Sequence, residues 1–353
     1  MLLPTIVASR IATSRLTVNY LQIEARSGEP VLFVHGNVSS SLFWQQAMLD
    51  LPAQYRPIAL DLRGFGDTDP LPVDATRGLR DYSDDLSALI EALDLDRVHL
   101  VGWSLGGGVV LHQLRDHAER LRSVTLVNPV SPYGFGGTHG TDGRLNSPDG
   151  AGSGGGTANP EFVRLLAAGE TNGESPLSPR SVFATCYVNS PVEPTDSYIA
   201  SMLSTRIGDD HYPGDSRTSE AWPGVAPGDR GVLNCLAPTH FRIDDLELAG
   251  ARPPVLWLRG SADVIVSDTS LFDMAHLGAL GAVPGWPGED DCPAQPMLAQ
   301  TRAVLARYAA AGGPVREAVI EGAGHSVHIE RPKEFLTELL ESLRGGTSWA
   351  PAG

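Results

Sequence analysis

Short apolar runs recur through the first third of the chain, and each closes on a glycine-containing turn. Arg15 to Glu24 reads as a strand. Pro30 to Val34 is a buried run ending at His35-Gly36, and Tyr55 to Leu62 ends at Arg63-Gly64-Phe65-Gly66. Between such runs the period changes. From Tyr82 to Leu93 the apolar residues Leu86, Leu89, Ile90 and Leu93 fall on one helical face. Arg97 to Val101 is a further strand closing at Gly102, Gly107 to Leu114 an apolar helix, and Ser123 to Val127 another strand. Strands without polar alternation, separated by helices, predict a mostly parallel central sheet flanked by helices on both faces, an α/β fold.

Near Pro129 this rhythm stops. Ser131 to Ala158 is dense in Gly, Ser, Asp and Pro, with Gly152-Ser153-Gly154-Gly155-Gly156 at its centre. So little apolar surface predicts a mobile Gly-rich loop over about 134–158. Helical pieces follow: one from Pro160 behind Asn159, one from Ser178-Pro179 to Tyr187, and one over Thr195 to Ile207. The sheet pattern returns at Val255 to Leu258 and Arg316 to Ile320, and an amphipathic helix follows Pro332. The expected organisation is a core of residues 1–130 and 251–353. Residues 131–250 are a cap inserted after the sixth strand, and 265–313 a second excursion.

Composition narrows the function. Of 353 residues, 26 are Lys or Arg and 42 Asp or Glu, a net charge of −16. An acidic chain lacks the positive footprint that nucleic acid requires. No run of about 18 apolar residues predicts a membrane span. Met1 to Val7 lacks a basic segment and a small-residue cleavage site, so no secretory signal is expected. Cys186, Cys235 and Cys292 have no metal-like spacing and suit a reducing compartment. The expectation is a cytoplasmic protein acting on a small molecule, without cofactor or metal.

Chemistry concentrates in Val98 to Gly108, where a buried strand runs into Gly102-Trp103-Ser104-Leu105-Gly106 and then a helix. A strand that turns directly into a helix strains its middle residue. Side chains two positions to either side would clash, which accounts for both glycines. The serine hydroxyl then sits at the turn's tip above a helix N-terminus. A serine nucleophile needs a base, and His325 follows the last strand in Gly322-Ala323-Gly324-His325. The base needs an orienting carboxylate, and Asp263 follows the preceding strand. In that order all three fall at one edge of the sheet.

These residues, with His35-Gly36 and Asp61-x-Arg63-Gly64-x-Gly66, resemble the α/β-hydrolase superfamily over about residues 15–130 and 250–345. The resemblance implies a serine hydrolase. Ser104 would be the nucleophile, His325 the general base and then acid, and Asp263 the group that orients it. The backbone N–H groups of Leu105 and Asn37 would form the oxyanion hole. His328 and Asp268 are the nearest rivals, and His328 reads as a packing residue. The place after the sixth strand, where this superfamily sometimes supplies its acid, holds Val127-Asn128-Pro129 with no carboxylate.

His35-Gly36-Asn37 with Trp44 looks like the haloalkane dehalogenase and epoxide hydrolase branch, with two departures. The nucleophile is Ser104 rather than an aspartate, and Trp103 precedes it. A serine ether offers water no carbonyl carbon, so dehalogenation is disfavoured. The cap should form the pocket, with Trp103, Tyr133, Phe135 and Trp286 as its expected lining. A carboxylic-ester hydrolase or lactonase is the leading expectation. A carbon–carbon bond hydrolase of diketone-like substrates and a hydrolase-fold ligand-binding protein are the alternatives.

Overall fold

A computed structural model describes residues 1–345 and Trp349. Eight strands form the main sheet: β1 (Val7–Ala12), β2 (Thr17–Gln22), β3 (Glu29–Val34), β4 (Tyr55–Leu60), β5 (Val98–Trp103), β6 (Leu121–Val127), β7 (Val255–Gly260) and β8 (Val315–Ile320). Their spatial order is β1-β2-β4-β3-β5-β6-β7-β8. β1 pairs antiparallel with β2, and β2 antiparallel with β4. Every other neighbour is parallel. β5 is buried at all six positions, which requires cover on both faces and explains its unbroken apolar run. Helices Arg80–Ala92 and Leu105–Asp116 pack on each other, the second of them against β5. Helix Pro332–Leu343 packs on β6 and β7, and Met297–Ala310 on β8.

The expected core strands and helices fall within a few residues of their predicted positions, and strand β1 and the short helix Gln45–Asp50 are additions. β1 is an edge strand whose residues alternate between half-buried and exposed, so it carries no apolar run to reveal it. The long excursion between β7 and β8 contains the flanking helix Met297–Ala310, preceded by a short helix, Met274–Ala279.

The residues between β6 and β7 make a cap on the sheet's carboxyl edge. It includes helices Pro160–Ala167 and Asp196–Leu203 and a π-helical turn at Phe183–Tyr187. Asn159 caps the first of these, its side-chain oxygen accepting from the N–H of Glu161 at 3.0 Å. The Gly-rich segment departs from expectation. It is packed rather than loose, and Gly150 to Gly155 are buried throughout. Its order comes from polar staples rather than an apolar core. Gln295 accepts from Gly136 N–H at 2.6 Å and donates to the Gly134 carbonyl at 3.1 Å. Asn234 accepts from Gly155 N–H at 2.8 Å. At Gly154, with φ +80°, a Cβ would lie 2.4 Å from Asn234 Oδ1, so the close approach requires glycine. No helix among the described residues is long and apolar enough to cross a membrane.

Candidate active site

β5 ends at Trp103, and the helix Leu105–Asp116 begins one residue after Ser104. Ser104 joins them at φ 57° and ψ −120°, a conformation costing about 1–3 kcal/mol in a non-glycine residue. Its surroundings enforce it. Ser104 N–H donates to the Val127 carbonyl at 3.0 Å, and its carbonyl accepts from Gly107 and Val130 N–H at 2.9 and 3.0 Å. A Cβ at Gly102 would stand 2.4 Å from the Gly106 carbonyl oxygen, and one at Gly106 equally close to that of Val34. The flanking glycines are therefore steric requirements of the turn, as the sequence implied.

Asp263 and His325 meet across the ends of β7 and β8. His325 Nδ1 donates to Asp263 Oδ2 at 2.8 Å, with both side chains 3% exposed. Asp263 Oδ1 accepts from Ile265 and Val266 N–H at 2.8 and 3.1 Å. The carboxylate is thus locked, and an acceptor on Nδ1 leaves the Nε2 lone pair available. Ser104 and His325 line one cavity, and no hydrogen bond joins their side chains among the described residues. Catalytic contacts of this kind often tighten only when substrate binds.

Two residues behind the site were not assigned this place from sequence. Asn128 Nδ2 donates to the His325 carbonyl at 2.6 Å, while its Oδ1 accepts from Gly260 N–H at 3.0 Å. Trp103 Nε1 donates to the same His325 carbonyl at 2.9 Å. The position after β6, which holds no acid, instead ties the aspartate-bearing strand end to the histidine loop. His328 is buried and stacked on Trp44, with ring centroids 4.1 Å apart. Burial, and secondarily His325, holds its pKa well below the ordinary value, which suits packing.

The His35-Gly36-Asn37 loop owes its geometry to a neutral imidazole. His35 Nε2 accepts from Leu62 N–H at 3.0 Å, so Nδ1 carries the proton and donates to the Gly36 carbonyl at 2.7 Å. Ser39 Oγ donates to that carbonyl too, at 2.8 Å. Burial holds the His35 pKa at about 4, against a partial offset from Asp61, so the ring stays neutral. With the Gly36 oxygen held on one side, the Asn37 N–H of the same planar peptide points the other way. Neither Asn37 nor Leu105 N–H has a protein acceptor among the described residues, and both residues line the cavity. Asp61 braces this region by accepting from Ser41 and Asp67 N–H at 2.8 and 3.0 Å.

The cavity has a volume of about 370 Å³ and runs between cap and core. Its wall holds Val38, Phe162, Val182, Ile265 and Leu277, and apart from His325 no Asp, Glu, Lys, Arg or His. Of the expected lining, Phe135 is present and the other three are elsewhere. Trp103 is fully buried, stacked on Phe43 at 5.2 Å and turned toward the back of the histidine loop. Tyr133 lies beneath Arg242, whose guanidinium is 4.7 Å from its ring. Trp286 bonds the Cys292 carbonyl and packs over Gly278. Aromatic type alone signalled pocket residues, and three of the four serve packing. Exposed Leu271 and Phe272, at 45% and 40%, edge the cavity from the second excursion. Among the described residues no group of three or more His, Cys, Asp or Glu side chains is placed to hold a metal ion.

Comparison with known proteins agrees with this architecture. A family model described as "alpha/beta hydrolase fold" matches residues 29–154. The chain is similar to the "Probable lysophospholipase BODYGUARD 4" of Arabidopsis thaliana, 37% identical over 108 residues, covering 30% of this chain and 25% of that one. It is 38% identical over 112 residues to a haloalkane dehalogenase of Sphingobium indicum, covering 31% of this chain and 38% of that protein. These matches span less than half the length of either relative. Among solved structures, a serine hydrolase from Cycloclasticus zankles superposes with a TM-score of 0.58 at 18% identity, covering 97% of this chain and 99% of that one. Strand order, the strained serine between β5 and its helix, and the family match over residues 29–154 converge on one architecture, and the chain has the α/β-hydrolase fold.

Proposed function

We propose that this chain is a serine hydrolase that cleaves a neutral, moderately hydrophobic carboxylic ester or lactone through an acyl-enzyme. The observation that carries this reading is the cavity wall, which presents Ser104 and His325 and otherwise no charged side chain. A substrate carboxylate or ammonium would lose its hydration there without gaining a partner, at a cost of several kcal/mol. An uncharged ester loses little. The size also fits, since small-molecule sites begin at about 300 Å³.

In this reaction Ser104 Oγ attacks the carbonyl carbon while His325 Nε2 takes its proton. The oxyanion of the tetrahedral intermediate is received by the N–H groups of Leu105 and Asn37, each such donor contributing about 3 kcal/mol. Collapse expels the alcohol, protonated by His325. From a lactone the alcohol stays tethered to the acyl group. Water, deprotonated by His325, then releases the acid and restores the serine. Asp263 holds the imidazole and stabilises its charged form.

The test is reaction of purified protein with a fluorophosphonate probe, read by intact mass, on wild type and Ser104→Ala. A single adduct on wild type and none on the variant is expected, followed by turnover of neutral esters and lactones. Carboxylate-bearing analogues should be cleaved at least tenfold more slowly. No adduct on folded wild-type protein would overturn the catalytic reading and favour ligand binding without turnover.

A further inference from the structure

Within the cap, the short segment Tyr187 to Ser190 contacts both catalytic loops. The Tyr187 carbonyl accepts from Ser326 N–H at 2.8 Å, on the loop that carries His325. Its phenol donates to the Asn37 carbonyl at 3.0 Å, on the loop that carries an oxyanion amide. One residue therefore spans the two.

The next residues reinforce the link through a buried carboxylate. Glu330 Oε2 accepts from Gly324 N–H at 2.8 Å, next to His325, and from Asn189 N–H at 2.9 Å, on the cap. Its Oε1 accepts from Ser190 N–H at 2.9 Å. Asn189 Nδ2 donates to the Gly322 carbonyl at 3.0 Å. The Glu330 side chain has no exposure, and Arg331 lies 3.6 Å away as its cation. The approach is so close that a Cβ on Gly324 would stand 2.7 Å from the Asn189 nitrogen. Three backbone donors from two distant segments thus converge on one carboxylate, a contact about twice as strong per bond as a neutral one.

Tyr187 closes the π-helical turn Phe183–Tyr187, after which the chain is extended at Val188. Turns of this kind often mark functional positions. Burial raises the phenol pKa, which keeps the O–H as a donor at every working pH.

We propose that Tyr187 to Ser190 is a strap that fixes the histidine loop relative to the oxyanion loop, with Tyr187 and Glu330 as positioning residues. The cap then completes the catalytic geometry as well as covering the pocket. Displacing the general base relative to the oxyanion donors by about 1 Å costs on the order of a hundredfold in rate. This role rests on the hydrolase reading above.

Two variants and two readouts separate the ideas. Tyr187→Phe keeps the ring and removes only the donor. Glu330→Gln keeps the volume but puts an amide N–H₂ where a backbone N–H needs an acceptor. With p-nitrophenyl butyrate, Tyr187→Phe should lower kcat about tenfold and Glu330→Gln ten- to a hundredfold, with KM changed less than twofold. Amide hydrogen exchange in Glu330→Gln should accelerate at least tenfold at Gly324, Asn189 and Ser190 together, while helix Leu105–Asp116 keeps its protection. Unchanged kcat in both variants, a purely KM effect, or exchange that rises on one segment only would overturn the strap. Failure of the hydrolase reading appears separately, as wild-type protein that neither reacts with the fluorophosphonate nor hydrolyses the ester. The exchange result then decides the strap on its own.

Discussion

At the scale of single residues, the Asp263 carboxylate has no freedom, and that makes its substitution informative. One oxygen accepts from Ile265 and Val266 N–H, and the other faces His325 Nδ1. In Asp263→Asn the amide oxygen must stay on the two N–H donors, so the N–H₂ turns to the imidazole. His325 Nδ1 then becomes an acceptor and the ring proton moves to Nε2, where it cannot receive the Ser104 proton. A kcat loss of about 10⁴-fold at nearly constant KM is expected, as for the same exchange in other Ser-His-Asp sites. A loss under tenfold in steady-state kinetics would show that another group orients His325. Ser104, Asp263 and His325 were legible because each follows a strand and each has a side chain suited to one step. Asn128, Tyr187 and Glu330 were not, because each bonds backbone atoms of a segment more than 140 residues away in the chain, and residue type gives no sign of this.

At the scale of elements, the sheet was readable because parallel strands buried on both faces leave continuous apolar runs. The edge strand Val7–Ala12 was not, since a half-solvated strand with polar alternation resembles a loop. The Gly-rich segment was misread for a related reason. Low apolar content predicts looseness only when nothing else satisfies the backbone, and here Gln295, Gln300 and Asn234 supply the missing partners from outside the segment. Gln295→Ala should therefore release what the composition predicts. It leaves the buried Gly136 N–H and Gly134 carbonyl unpaired, at about 1–3 kcal/mol per group. The order of 134–158 should be lost before that of the core. Limited proteolysis with mass mapping should show new cuts confined to 134–158 while the sheet stays intact. An unchanged cleavage map would mean that glycine packing alone orders the segment. Because Phe135 lines the cavity, the same variant should also raise KM for neutral esters.

At the scale of the whole molecule, the fold buries histidines that must stay neutral, and this sets how stability depends on pH. Burial holds His35 at about 4 and His112 at about 3, with His328 also far below the ordinary 6.5. In the unfolded chain each would titrate near 6.5, so below that pH the unfolded state binds more protons. Their contribution is fully present above pH 6.5 and is lost as pH falls toward the folded values, at about 1.4 kcal/mol per pH unit for each histidine. Two effects oppose this. Asp273 and Glu338 are raised by burial, so acidification relieves them, and the net charge of −16 shrinks, easing self-repulsion. Between pH 6.5 and 5 most carboxylates are still ionised in both states, so histidines dominate, with His99 and His211, also lowered by burial, adding to these three. Urea unfolding from pH 7.5 to 5.0 should show a plateau above 6.5 and then a fall, with a slope of at least about two protons. His112 isolates one of them, because its Nε2 has no partner and its Nδ1 only Arg115 at 3.1 Å. His112→Gln should leave stability at pH 5 less reduced and lower the slope by one proton. If the slope of that variant matches wild type, His112 is protonated in the folded protein and its pocket admits water.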